Sequence, residues 1–266
     1  GWSENLPKGI QVTIRTMIFI MYFAKLLIAS IILIDDLRRL LFGALNMGFD
    51  DWKLSTERSR WMSYGALILG ALPVLSLTYG MARNQYRYQV LKTKVPIKDL
   101  HPDLQGLKIV QISDIHSGSF LLREPVERSI EMINAEKPDI VFFTGDLVNS
   151  LAKEMEPFVE MFKKIEAPLG VYSILGNHDY GDYHQWPSKE EKQQNFEDLK
   201  HMHKRLGWDL LLNEHRKVEV GSTHFNVIGV ENYSASPRFP KYGDLTKATE
   251  GMQKDTFNVL LSHDPS

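Results

Sequence analysis

Val171–Asp179, VYSILGNHD, is the stretch from which the fold of this chain can be read. Val171–Leu175 is an uncharged run too short for a helix, and it predicts a buried strand. Gly176 then ends the run, and an amide, an imidazole and a carboxylate follow at Asn177, His178 and Asp179. The same pattern occurs three more times. Leu107–Ser113 (LKIVQIS) runs into Asp114-Ile115-His116, and Asp139–Thr144 (DIVFFT) runs into Gly145-Asp146 with Leu147-Val148-Asn149 behind it. Phe257–Leu261 (FNVLL) leads to His263-Asp264-Pro265. Between these runs the apolar spacing predicts helices over Glu124–Glu136 (Val126, Ile130, Ile133) and Glu154–Ile165. Short apolar strands separated by amphipathic helices are the signature of βαβ units, so the fold class is α/β with a sheet covered on both faces. Lys217–Val220 and His224–Val230 flank Gly221-Ser222 and predict a hairpin. The alternation of Tyr86, Tyr88 and Val90 predicts a half-exposed strand running toward Val95-Pro96, where the soluble domain begins.

Ligands of open α/β sheets bind in the crevice beyond the carboxyl ends of the strands. Four strands here deliver Asp, His, Asn and His to such an edge. Carboxylates, imidazoles and an amide carbonyl without any thiolate suit hard or borderline divalent ions such as Mn, Fe, Zn or Mg. One carboxylate can bridge two such ions, the arrangement that clamps a phosphate during in-line displacement. A hydroxide of lowered pKa then serves as nucleophile, with no serine or cysteine needed. Gly145 and Gly176 permit the sharp turns that point the next side chain back at a metal. Taken singly, Asp114 could cap a helix and Gly145-Asp146 could be an ordinary turn. His178 and His263 could be satisfied buried histidines. Their joint occurrence, each after a buried strand, favours the site. His101, His184, His201, His203, His215 and His224 have no ligand spacing and read as loop or helix-surface residues. Of these, His184, with Trp186 beside it, falls on a loop expected to overhang the metals, and Asn149 is a candidate for the rim.

Composition restricts the remaining classes. The 266 residues are 43% hydrophobic and 24% charged, with a formal net charge of -2. No global basic field draws the chain onto nucleic acid, and no nucleic-acid partner is expected. Without cysteine there are no disulfides, no thiolate nucleophile and no cysteine-type zinc site.

The first third is written for a different solvent. Met17–Ile34 is apolar except for Lys25, and Trp61–Gly80 carries no charge, with Trp61 and Tyr79 near its ends. Both stretches approach the length of a bilayer span, and the aromatic rings sit where headgroups favour them. Residues 1–83 are therefore expected to form a membrane region with two transmembrane helices, at about 17–34 and 61–80. Residues 84–266 are expected to form the catalytic domain. Asp35–Arg60 reads as a short interfacial helix. Basic residues flank the second span on both sides, so orientation is left open, as is oligomeric state.

With these blocks in order, the sequence resembles the calcineurin-like metallophosphoesterase superfamily, whose motifs read D-x-H, G-D, G-N-H-[DE], an isolated H and G-H-x-H. Four of the five stand at Asp114/His116, Gly145/Asp146, Gly176–Asp179 and His263. The resemblance implies a sandwich of two β-sheets flanked by helices, cut short before its last motif and preceded by transmembrane helices. It implies that Asp114 and His116 bind one metal, that Asp146 bridges two, and that Asn177 and His263 bind the second. His178 would stabilise or protonate the phosphoryl group without ligating, and Asp179 would orient it. The match to Ser/Thr protein phosphatases is poor, because Leu147-Val148-Asn149 stands where an Arg-Gly pair is expected and Asp179 where a Glu is. Ser113–Gly118 is similar to the S-D-x-H-x-G opening of a bacterial, membrane-anchored subgroup that acts on phosphodiesters, some of them lipid-linked nucleotide sugars. The expected function is therefore hydrolysis of a phosphodiester or pyrophosphate substrate at a membrane. The alternative is a sensor or scaffold built on a degenerate copy of the fold.

Overall fold

A computed structural model describes residues 8–49, 53–83, 86–235, 241–253 and 256–264. Pro265 and Ser266, at the end of the fourth motif, and Asn84, the expected domain boundary, lie outside the described residues. The chain divides into two compact units, Gly1–Gln89 and Val90–Ser266.

The first unit is a helical hairpin. Helix α1 spans Lys8–Gly48 and helix α2 spans Arg60–Arg83. The expected span at 17–34 is contained in α1, but among the described residues no separate interfacial helix follows it. The helix continues through Asp35 and Asp36, whose carboxylates pair with Arg38 and Arg39 three residues on. At 41 residues α1 is about 60 Å long, twice the hydrocarbon core of a bilayer. Arg38 donates to the carbonyls of Ser55 and Glu57, Arg39 to that of Thr56, and Asn46 exchanges bonds with Leu54. The turn before α2 is thereby folded back along α1. The two helices meet through small residues: Ala24 and Ala66 are buried, and a Cβ on Gly70 would collide with Ile28. Lys25 lies 5.5 Å over the Tyr22 ring. Pro73 sits inside α2.

The second unit is the α/β sandwich. Strands β1 (Ile109–Ile112), β2 (Ile140–Phe143), β3 (Val171–Ser173) and β4 (Asp209–Leu210) form a parallel sheet in that order. Strands β5 (Glu214–Val220) and β6 (Thr223–Gly229) form the expected hairpin, and β7 (Phe257–Leu261) pairs parallel to β6. Every residue of β2 is buried, because both faces of its sheet are covered. Ile140 and Phe142, with Ile174 and Leu211, pack toward Val218, Phe225, Val227 and Leu261 of the second sheet. Val141 and Phe143 pack on the other side among helices α3 (Arg123–Ala135), α4 (Val159–Phe162) and α5 (Lys189–Leu206). A four-residue helix, α6 (Leu245–Ala248), precedes β7.

Two expectations fail for local reasons. No strand forms over residues 87–97, where the alternating pattern finds no partner strand among the described residues. The helix expected over Glu154–Ile165 is a 3₁₀ stretch, Ala152–Phe158, followed by only one turn of α4. Pro157 lies inside that stretch and has no N–H to donate to a regular helix. The sequence reading also passes over α5. Its Ser188 cap accepts the Glu191 amide, and Gly207 (φ 77°) ends it in the left-handed region.

Candidate metal centre

The first three strands are parallel, so their carboxyl ends share one edge, and the following loops are bonded to one another. The amide of Asp114 donates to the Gly145 carbonyl (2.9 Å), His116 to Asp146 (3.0 Å) and Ser117 to Leu147 (3.0 Å). The second and third loops are joined by Asp179. Its fully buried carboxylate accepts the amides of Asp146 (2.8 Å), Leu147 (2.8 Å), Val148 (3.3 Å) and Gly176 (2.9 Å). Burial, and then the charge of Asp146, pushes the Asp179 carboxyl up to about 7, against the pull of these amide donors.

Asp114 (φ 53°), His116 (φ 45°) and Asp146 (φ 62°) all stand in the left-handed region, which costs a non-glycine residue about 1–3 kcal/mol each. The bonds between the loops are what hold that strain. At Gly176 a side chain would collide with the Asp146 carboxylate, and at Gly145 with the Gly176 backbone, so close approach requires both glycines.

The side chains converge. Asp146 Oδ1 accepts the His178 amide (2.9 Å), and its Oδ2 lies 3.4 Å from His116 Nε2 and 3.5 Å from His263 Nε2. Asp114 Oδ1 is 3.8 Å from His116 Nε2, and Asn177 Oδ1 is 3.1 Å from His263 Nε2. Two groups, His116/Asp146/His178 and Asp114/Asp146/His263, each have their donor atoms within 4.8 Å of one another. The structure thus brings together all five expected ligands together with His178.

This donor set fits divalent cations. His263 Nδ1 contacts the Thr144 carbonyl (2.8 Å), a contact that makes Nδ1 the protonated nitrogen and leaves Nε2 as a lone pair. The Asn177 amide nitrogen is engaged elsewhere, leaving its oxygen inward. Asp146 Oδ2, Asn177 Oδ1 and His263 Nε2 are then three acceptors facing one another without a donor among them, an arrangement that a cation relieves.

Asp179 departs from its expected role. Its oxygens are spent on backbone amides, and the His178 ring is fixed instead by the Asn149 carbonyl, 2.8 Å from Nδ1. Asn149 is itself anchored, its amide donating to Glu154 (2.6 Å) and its side chain bonding Ser119. The rings of His116 and His178 meet edge to face at 4.7 Å. Sequence reasoning missed Tyr183, which accepts the Asn177 amide and packs on His178; the only cue is its place just beyond the third motif. His184 and Trp186 meet edge to face at 4.6 Å on the same loop. His203, expected on a surface, is fully buried on α5, with Nδ1 3.0 Å from Ser173 Oγ. Burial drives its pKa down to about 3.

Acidic, amide and imidazole side chains gathered at the carboxyl edge of a two-sheet α/β sandwich form a candidate metal-binding site. The family model of the calcineurin-like phosphoesterases matches residues 107–266, and the chain belongs to that family. A second family model, the transmembrane domain of such phosphoesterases, matches residues 3–85 and supports a membrane location. A "Transmembrane protein with metallophosphoesterase domain" of Danio rerio is 32% identical over 75% of this chain and 44% of its own length. A putative metallophosphoesterase of Caenorhabditis elegans is 28% identical over 76% of this chain and 39% of its own. The metallophosphoesterase YkuE of Bacillus subtilis is 28% identical over 80% of this chain and 70% of its own. The chain spans under half the length of the two animal relatives.

Proposed function

We propose that this chain belongs to a membrane-anchored phosphohydrolase that uses two divalent ions to cleave a phosphodiester or pyrophosphate bond. One observation carries the reading: Asp146 Oδ2 lies almost equally far from His116 Nε2 and His263 Nε2, 3.4 and 3.5 Å, so one oxygen faces two half-sites. Asp114 and His116 would hold one ion, Asn177 and His263 the other, and Asp146 both. When bound, such ions neutralise phosphoryl charge and lower the pKa of a coordinated water. His178 sits beside this pair with Nδ1 donating to the Asn149 carbonyl, so that its imidazolium form would present Nε2–H to bind or protonate a phosphoryl oxygen. Asp179 sets the second and third loops in register. Both α1 and α2 are long and apolar enough to cross a bilayer, which supports a multi-pass anchor. A catalytic unit held at a membrane meets lipid-linked substrates, nucleotide sugars among them, at high local concentration.

The test uses the full chain in detergent with bis(p-nitrophenyl) phosphate and manganese. Chelation should abolish hydrolysis and added manganese restore it. Asp146→Asn should lower kcat about a thousandfold, because the shared ligand loses its charge. His178→Ala should keep manganese binding and lose about a hundredfold in kcat. Chelator-resistant hydrolysis, or full activity in Asp146→Asn, would remove the metal-centre reading. Equal turnover of soluble and vesicle-embedded diesters would remove the lipid-linked part alone.

A further inference from the structure

The loop after the third motif turns back on itself. Gly181 adopts φ 68°, where a side chain would also crowd Trp186 and the Ser150 carbonyl. Trp186 Nε1 donates to the Gly181 carbonyl (2.7 Å), and the His184 amide donates to the same oxygen (3.2 Å). Asp182 is paired with Lys192 on α5. Tyr183, between these anchors, is aimed at two site residues. Its hydroxyl accepts Asn177 Nδ2 at 2.8 Å, and its ring centre lies 4.4 Å from that of His178.

An asparagine side chain has a broad, roughly two-fold terminal torsion, so the backbone alone does not decide which end of the amide faces inward. In this site the choice matters. Asn177 Oδ1 facing His263 Nε2 offers a cation a ligand, whereas Nδ2 in that place would donate to the imidazole lone pair and close the position.

We propose that Tyr183 is a positioning residue that holds the Asn177 amide with its oxygen toward the metal position while its ring backs His178. This rests on the metal-centre reading above and adds a residue that none of the metal motifs contains. Partners that orient metal ligands are worth about 10–100-fold in metal affinity.

The test is a manganese titration of the metal-free full chain in detergent, read by the electron paramagnetic resonance of free Mn(II). Tyr183→Phe keeps the ring and removes only the hydroxyl. It should weaken binding of one ion about 10–100-fold, leave kcat at saturating manganese near wild type and leave Tm unchanged, since Tyr183 is exposed. Tyr183→Ala removes the ring as well and should lower kcat even at saturating manganese. If the wild-type chain binds no manganese, the metal-centre reading fails and this inference with it. If the wild type binds and Tyr183→Phe binds equally tightly, this inference alone is overturned.

Discussion

In the helical hairpin, Trp61 is 85% exposed and Leu72 57%, while Asp35 is 1% exposed. In the phosphoesterase unit, Leu199, Leu147 and Phe143 are all at 0%. Asp35 and Asp179 are both buried acids, but they are satisfied differently. Asp35 binds the Arg38 guanidinium and the Ser59 amide, closing the turn between two helices. Asp179 takes four backbone amides and no cationic side chain. The hairpin thus turns large apolar side chains outward and buries small residues and the paired Asp35 between its helices, as a segment solvated by lipid does. The other unit has an ordinary aqueous core, and of its left-handed non-glycine residues Asp114, His116 and Asp146 fall in the metal-centre loops, while Asp99, Lys137 and Asn213 lie elsewhere.

The largest expected effect separates the two acids. At pH 8, above its raised pKa of about 7, Asp179 is an acceptor-only carboxylate, and Asp179→Asn puts an NH2 against backbone N–H donors. It should cost about 4 kcal/mol, a fall of about 10 °C in the Tm of the phosphoesterase unit. Asp35→Asn keeps an oxygen for the Ser59 amide and should leave that Tm unmoved, because it belongs to the other unit. Calorimetry of both variants in one detergent decides this. Equal falls would mean that the two units melt as one.

A smaller effect compares one substitution in two solvents. Leu199→Ala empties a fully buried position on α5 and should cost about 3 kcal/mol. Leu72→Ala, on the outer face of α2, should change stability by under about 0.5 kcal/mol. A comparable loss at Leu72 would show that this face packs against protein rather than lipid.

Much of the site was legible because the local signal and the tertiary role coincide. An apolar run ending in Asp, Asn or His is both a buried strand and a ligand carrier, and β1, β2, β3 and β7 all follow that rule. The helical hairpin was equally plain from composition. What stayed hidden depends on contacts distant in sequence. Asp179 looks like a partner for its neighbour His178, yet it serves amides at 146–148, more than thirty residues away. Asn149 orients His178 through its carbonyl, which no side-chain pattern reports. The expected strand at Tyr86–Val90 shows the converse: alternation permits a strand, but only a neighbouring strand makes one.

His203 carries the smallest of these effects and one with a defined sign. Its ring is enclosed by Phe143 and Trp208, each with centroids 6.0 Å away, and by the Ser173 hydroxyl. Burial lowers its folded-state pKa to about 3, below the ordinary value of 6.5. The unfolded chain therefore takes up a proton below pH 6.5 that the folded chain refuses until about pH 3. Stability is unaffected above 6.5 and falls by about 1.4 kcal/mol for each pH unit below it. At pH 5.5 the wild type should thus have lost about 1.4 kcal/mol more than His203→Phe, each measured against its own value at pH 7.5. Taking the difference cancels the opposite contribution of Asp179, whose raised pKa favours the folded state as pH falls. Parallel pH profiles for the two proteins would place a charged imidazole in the core and refute the neutral, buried assignment.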